Sequence, residues 1–135
     1  MDESWTLAAG TTHAIVEHAE RERPRECCGV LVGRGREIVQ AVPVENIAAS
    51  PCRFLLDPKG HIDARRDARR LGLDVVGYYH SHPNSPAEPS ATDAAGVTYT
   101  DAVYAIVSLA GPMPVLRLFE WQEGKFQAVR ADERA

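Results

Sequence analysis

The run HSHPNSPAEPSATD, residues 80–93, concentrates the side chains best suited to chemistry. His80 and His82 are two apart, and in an extended strand such residues point to the same face, about 7 Å apart along the chain. At the end of a strand, both imidazoles can aim at one metal ion. Asp93 returns after a connection stiffened by Pro83, Pro86 and Pro89 and adds a carboxylate oxygen. Two histidines and one carboxylate leave a tetrahedral position open for water, the layout of a catalytic zinc rather than a structural one. Imidazole and carboxylate ligands suit zinc, which lowers the pKa of a bound water toward about 7.

Plainer readings compete at each residue. A His-x-His on a strand is often just a half-buried pair. Ser90 and Asp93 also fit an S-x-x-D capping box opening a short helix, and on local evidence alone that is the better account of the two. The roles are compatible, because a helix N-terminus would hold Asp93 in place. His13, His18 and His61 fall on expected helices without a ligand-spaced partner and read as surface or half-buried structural residues. Cys27, Cys28 and Cys52 are odd in number and lack a C-x-x-C, which excludes a tidy disulfide framework and a cysteine zinc site; small buried side chains are the default for them. The run Arg65-Arg66-Asp67-Ala68-Arg69-Arg70 could dock an acidic partner but reads first as a solvated helix face, with Asp63 and Asp67 in pairing reach.

Elements that would position these residues follow from periodicity and punctuation. A short extended start covers residues 4–7. A helix is expected over 11–23, with Ala14, Ile15, His18 and Ala19 on one face and Pro24 as the stop. Residues 27–33 form a short apolar run that suits a buried strand, and residues 37–46 alternate as a strand in which Pro43 favours an edge or a bulge. A brief strand is expected at 54–56. Asp57 caps a second helix over 58–71, with Pro58 in its first turn and Gly72 as its stop. The strand at 74–82 ends on the histidines, a short helix begins at Ala91, and strands are expected at 103–109, 115–121 and 125–129. Helices and strands alternate irregularly, so the fold class is an α/β sandwich, three-layer-like, with a mixed sheet flanked by helices.

Composition sets the frame. The 135 residues, 44% hydrophobic and 25% charged, suffice for a single domain spanning 1–135 with its own core. A net charge of −4 argues against a nucleic-acid partner, which usually meets a basic stripe. No stretch approaches the roughly 18 apolar residues of a membrane span, and the start MDESWTLAAG lacks the basic and apolar regions of a signal peptide. A cytoplasmic protein is expected.

His80-Ser81-His82-Pro83, with Ser90 and Asp93 at this spacing, resembles the signature of the JAMM/MPN zinc metalloproteases, in the short form found in prokaryotes. That family places a glutamate upstream in a Glu-x-x-Gly context, matched here by Glu26-Cys27-Cys28-Gly29 and the apolar residues after it. Arg53-Phe54 and Asp57-Pro58 also agree, so the likeness runs from about residue 6 to residue 129.

The resemblance implies a mixed, mostly antiparallel sheet of cytidine-deaminase-like type and one Zn2+ per chain held by His80, His82 and Asp93. It implies that Glu26 takes a proton from water and returns it to the leaving amine, and that Ser90 donates to the developing oxyanion. The implied reaction is peptidase or isopeptidase cleavage after the C-terminal Gly-Gly of a small ubiquitin-like or sulfur-carrier protein. The oligomeric state is left open. Two alternatives are a non-catalytic scaffold of the same fold, which would usually have lost Glu26 or a ligand, and a general small-peptide zinc hydrolase. A nucleoside deaminase would need a P-C-x-x-C ligand pair that this chain lacks.

Overall fold

The structure is a computed structural model that describes residues 4–48, 50 and 52–135. In chain order its elements are β1 (Trp5–Leu7), α1 (Thr11–Glu22), β2 (Cys28–Arg34), β3 (Glu37–Val44), α2 (Pro58–Arg70), β4 (Asp74–His82), α3 (Ala91–Ala95), β5 (Val103–Ser108), β6 (Val115–Gln122), β7 (Lys125–Val129) and β8 (Ala131–Glu133). The strands form one sheet in the order β7-β6-β5-β4-β2-β3-β1-β8. The pairs β2–β3, β2–β4, β5–β6 and β6–β7 are antiparallel, whereas β4–β5, β1–β3 and β1–β8 are parallel. The sheet is therefore mixed and mostly antiparallel, as expected.

The two long helices cover opposite faces. Ile15 and Ala19 of α1 pack with Leu31, Tyr79, Ala105, Val107 and Leu118. On the other face, Ala64 and Ala68 of α2 pack with Val30, Val32, Val44 and Tyr78. Because β2 is covered on both sides, it reads as an unbroken apolar run, without the alternation of a half-exposed strand. Along β4 the odd residues Tyr79 and Ser81 face α1, and the even residues Tyr78, His80 and His82 share the opposite face. One residue, Arg130, separates β7 at one end of the sheet order from β8 at the other. The sheet must therefore curl around α1 until its two edges nearly meet, and Trp5 closes the gap: its N–H donates to the Arg130 carbonyl at 2.8 Å and its indole Nε1–H to Glu120 of β6 at 2.8 Å.

Helix ends follow two different rules. For α2, Asp57 accepts from the Lys59 N–H at 3.2 Å, Pro58 opens the helix and Gly72, at φ 72°, ends it. For α1, Gly10 sits at the cap and offers no side chain. The Glu133 carboxylate fills that role from the last strand, accepting from Thr12 N–H at 2.9 Å and Gly10 N–H at 3.2 Å.

Some expectations need correction. Ala14 is exposed, and Thr11 completes the buried face of α1 with Ile15, His18 and Ala19. Residues 54–56 form no strand. A single bridge joins Leu56 to Asn46, because the Asn46 side chain takes the Leu55 N–H that a ladder would have used. Strand β8 was not anticipated; its sequence, ADE, has no apolar alternation. Pro43 does lie near an edge, since β1 reaches only Glu37 and Ile38 of β3.

Candidate functional site

The histidines stand at the C-terminal end of β4, in the middle of the sheet, where β2 and β5 flank them through the pairs Cys28↔His80 and His80↔Ile106. Both are buried to 4% exposure. Asp93 arrives from α3, and the structure brings the three together. His80 Nε2 lies 3.2 Å from His82 Nε2 and 3.1 Å from Asp93 Oδ1, while His82 Nε2 lies 3.1 Å from Asp93 Oδ2. Tetrahedral zinc with bonds near 2.0–2.1 Å sets its ligand atoms about 3.3 Å apart. The Nε2–Nε2 spacing matches that, and one ligand-type atom from each of the three residues lies within 4.8 Å of the others, so the group could hold one shared ion.

The donor chemistry agrees. His82 Nδ1 lies 2.8 Å from the Pro86 carbonyl, which only accepts. Nδ1 must then carry the proton and leave the Nε2 lone pair facing the site, the arrangement a ligating histidine needs. Phe54 stacks on the His80 ring at 4.4 Å. Burial drives the pKa of His80 down and keeps it neutral. For His82 burial acts the same way, but the Asp93 carboxylate and the Pro86 carbonyl outweigh it and raise the pKa, so protons compete with a metal there. Burial would raise Asp93, yet its contacts with the His80 and His82 rings hold it far below the usual carboxylate range. The residues present fit zinc.

The connection between β4 and α3 is anchored, which keeps Asp93 in place. Ala87 is buried against Ile106 and Phe119, and Ser108 Oγ donates to the Ser85 carbonyl at 2.6 Å. At the start of α3 the capping box is complete: Ser90 Oγ accepts from Asp93 N–H at 3.0 Å, and Asp93 Oδ2 accepts from Ser90 N–H at 2.8 Å. The cap uses Ser90 Oγ as an acceptor and leaves its hydroxyl proton for another partner.

Glu26 lies just ahead of β2. Since Cys28 pairs with His80, a step of two residues along the antiparallel register brings Glu26 level with His82. Glu26 is 8% exposed, and among the described residues its buried Oε1 has no hydrogen-bond partner. Burial raises its pKa to about 7, against the pull of His82 and with the push of Asp93. A carboxyl with that affinity and an idle oxygen is suited to accept a proton at neutral pH.

Gly29, the glycine of the Glu-x-x-Gly segment, is required by packing. A Cβ there would lie 2.3–2.5 Å from Cε1, Cζ and Oη of Tyr79, the residue beside His80. The Tyr79 hydroxyl in turn meets Nδ1 of buried His18 at 2.8 Å. That gives His18 a structural role, and His61, 2.9 Å from the Tyr78 hydroxyl, has one too. Cys27 and Cys28 are buried, but Cys52 is exposed, contrary to the default. The arginine run is largely the expected ion-paired face, with Arg66–Asp63 at 3.2 Å and Arg70–Asp67 at 3.7 Å, although Arg65 turns inward to the Tyr78 hydroxyl at 3.3 Å.

A cavity of about 490 Å³ is lined by His80 and Asp93 together with Phe54, Leu56, Tyr99 and Phe126. A larger one of about 700 Å³, lined by Trp5, Arg36 and Trp121 among others, includes none of His80, His82 and Asp93. Several residues that build the site carried no sequence signal. Ser81 accepts from Cys27 N–H at 2.8 Å and so fastens β4 to the segment bearing Glu26. Asn46 donates to the Glu26 carbonyl at 2.9 Å, although a polar residue after a strand reads simply as a turn.

Residues 8–122 match the family described as prokaryotic homologs of the JAB domain. The chain is 37% identical over 129 residues to a desampylase of Haloferax volcanii, covering 90% of this chain and 91% of that protein. It is 35% identical over 108 residues to the CysO-cysteine peptidase of Mycobacterium tuberculosis, covering 78% and 74%. Among solved structures, a protein from Desulfitobacterium hafniense superposes with a TM-score of 0.87 at 32% identity, covering 96% of this chain and 92% of that one. The family match takes in β2 to β6, both long helices and the His80–Asp93 segment, and the chain belongs to the prokaryotic JAB family.

Proposed function

We propose that this chain is a zinc-dependent peptidase or isopeptidase that cleaves after the C-terminal Gly-Gly of a small ubiquitin-like or sulfur-carrier protein. The observation that carries the reading is the joint geometry: two imidazole Nε2 atoms 3.2 Å apart, each 3.1 Å from one oxygen of the Asp93 carboxylate, with a buried carboxyl oxygen of Glu26 on the neighbouring segment that has no hydrogen-bond partner among the described residues. His80, His82 and Asp93 would hold one Zn2+. When bound, the ion supplies Lewis-acid polarisation of the scissile carbonyl and acidifies the attacking water.

The chain's own groups do the rest. Pro86 fixes the His82 tautomer, and the capping box with Ser90 fixes Asp93. Glu26 accepts the proton of the attacking water and passes it to the departing amine, one carboxyl acting as base and then as acid. The Ser90 hydroxyl donates to the carbonyl oxygen as it gains charge. The Phe54–Tyr99–Phe126 cavity offers an extended tail a path to the centre, and glycines next to the cleaved bond pass without steric conflict. Relatives named for desampylation and for cleaving CysO from cysteine support the substrate class. A scaffold role fits poorly, since Glu26, Ser90 and all three ligands are retained together.

No helix among the described residues is long and apolar enough to cross a membrane. Action in the cytoplasm as one domain is part of this proposal. The test is to incubate zinc-loaded protein with a ubiquitin-like sulfur carrier extended past its Gly-Gly, and to follow intact mass. Trimming at Gly-Gly that a chelator stops and zinc restores is the expected result. Brisk hydrolysis of unrelated short peptides, with every such carrier left intact, would instead mark a general peptidase.

A further inference from the structure

Glu26 stands two residues ahead of Cys28, where the β2 ladder begins, so sheet pairing alone does not fix its side chain. Side chains hold its backbone from both flanks. On one, Cys27 N–H donates to Ser81 Oγ. On the other is Asn46, 7% exposed. Its Nδ2 donates to the Glu26 carbonyl at 2.9 Å and the Arg53 carbonyl at 3.3 Å, and its Oδ1 accepts from Ala48 N–H at 2.9 Å and Leu55 N–H at 3.0 Å. Both donors and both acceptor sites of the amide are used. Arg25, next to Glu26, ties in the same segment through the Asn46 and Ala48 carbonyls at 3.0 and 3.1 Å.

The segment gathered around this amide carries Phe54, which stacks on His80, and Leu55 and Leu56, which line the cavity beside the ligands. One buried side chain thus connects the carboxyl-bearing residue, the stacking partner of a metal ligand and one wall of the substrate path. Proton transfer is steep in distance, and a misplacement of about 1 Å can cost on the order of 10²-fold in rate.

We infer that Asn46 is a positioning residue for hydrolysis, holding Glu26 in register with the metal ligands and the substrate wall; this rests on the reading of Glu26 as the proton acceptor. Asn46→Asp separates this role from that of a loop staple. It is nearly isosteric and keeps an oxygen for Ala48 and Leu55, but it turns an anionic oxygen toward the Glu26 and Arg53 carbonyls in place of two donors. The Ala48 and Leu55 ties remain while the Glu26 and Arg53 carbonyls are released.

The experiment measures kcat, KM, zinc content and melting temperature on the Gly-Gly-extended carrier for wild type, Asn46→Asp, Asn46→Ala and Glu26→Gln. Amide exchange of the metal-free proteins accompanies it. Asn46→Asp should lower kcat by about 10- to 100-fold with zinc content unchanged and KM within about threefold. In the metal-free variant, exchange should quicken at Cys27 more than at Ala48 and Leu55. Asn46→Ala, which also frees the wall, should lower kcat and raise KM, and it decides the matter by kcat alone if the aspartate variant does not fold. Suppose Glu26→Gln is inactive but both Asn46 variants keep kcat within about twofold and lose only melting temperature, KM or zinc. Asn46 is then a staple, and the inference fails while the reading of Glu26 stands. A Glu26→Gln protein with wild-type turnover overturns both.

Discussion

Gly29→Ala adds one methyl group and should be among the most costly single-carbon changes available in this chain. The backbone at Gly29 has no positive φ, so alanine itself is tolerated there; the obstacle is the Tyr79 ring, 2.3–2.5 Å from the added carbon. Tyr79 is 1% exposed and cannot swing into solvent. Moving it also pulls its hydroxyl from His18, 2.8 Å away and itself buried. Overpacking of this kind costs about 1–3 kcal/mol, and orphaning the buried partner adds about 1–3 kcal/mol. The expected loss is therefore about 2–6 kcal/mol, a large share of the roughly 5–15 kcal/mol that holds a domain together. Urea unfolding of the metal-free protein measures it. The control is the same substitution in a Tyr79→Leu background, where the obstructing ring atoms are gone and the added cost should drop below about 1 kcal/mol. A loss under about 0.5 kcal/mol in the wild-type background, or an equal loss in both, refutes the packing argument.

Other expectations follow from single contacts. Ser90→Ala should lower kcat by about 10²-fold through the lost oxyanion donor and also loosen α3 by about 0.5–2 kcal/mol; a fall in melting temperature with kcat unchanged would leave only the cap. The Glu26 pKa is raised to about 7 in the fold, so the folded state binds that proton more tightly than the unfolded chain. The contribution of Glu26 to the stability of the metal-free protein should therefore fall as pH rises from about 4.5 to 7 and level off above. Glu26→Gln should remove that slope, and an unchanged slope in melting temperature against pH would contradict the burial argument. Glu133→Ala should cost about 0.5–2 kcal/mol by uncapping α1, read as faster amide exchange at Gly10 and Thr12.

What was legible in the sequence was local. DVVGYYHSH reads as a buried strand because both faces of β4 are covered, and HSHP with Ser90 and Asp93 is a pattern within fourteen residues whose geometry follows from strand alternation and a helix cap. Glu26 was reachable only through family resemblance, because the register that sets it level with His82 joins β2 to a strand 46 residues further along the chain. Asn46 and Ser81 escaped notice for the same reason: a polar residue after a strand and a serine between two histidines signal nothing until their partners arrive from elsewhere. Strand β8 and the Glu133 cap depend on the curl that brings the sheet's edges together, and no period in ADE announces it. The exposed side of Cys52 has no sequence marker either.

Metal content tests the central claim most directly. Wild-type protein, purified without added metal and analysed by elemental mass spectrometry, should carry about one zinc per chain, and His80→Ala, His82→Ala and Asp93→Ala should each reduce it sharply while the protein remains folded. Equal zinc in wild type and all three variants would place any bound metal elsewhere and contradict the proposed centre.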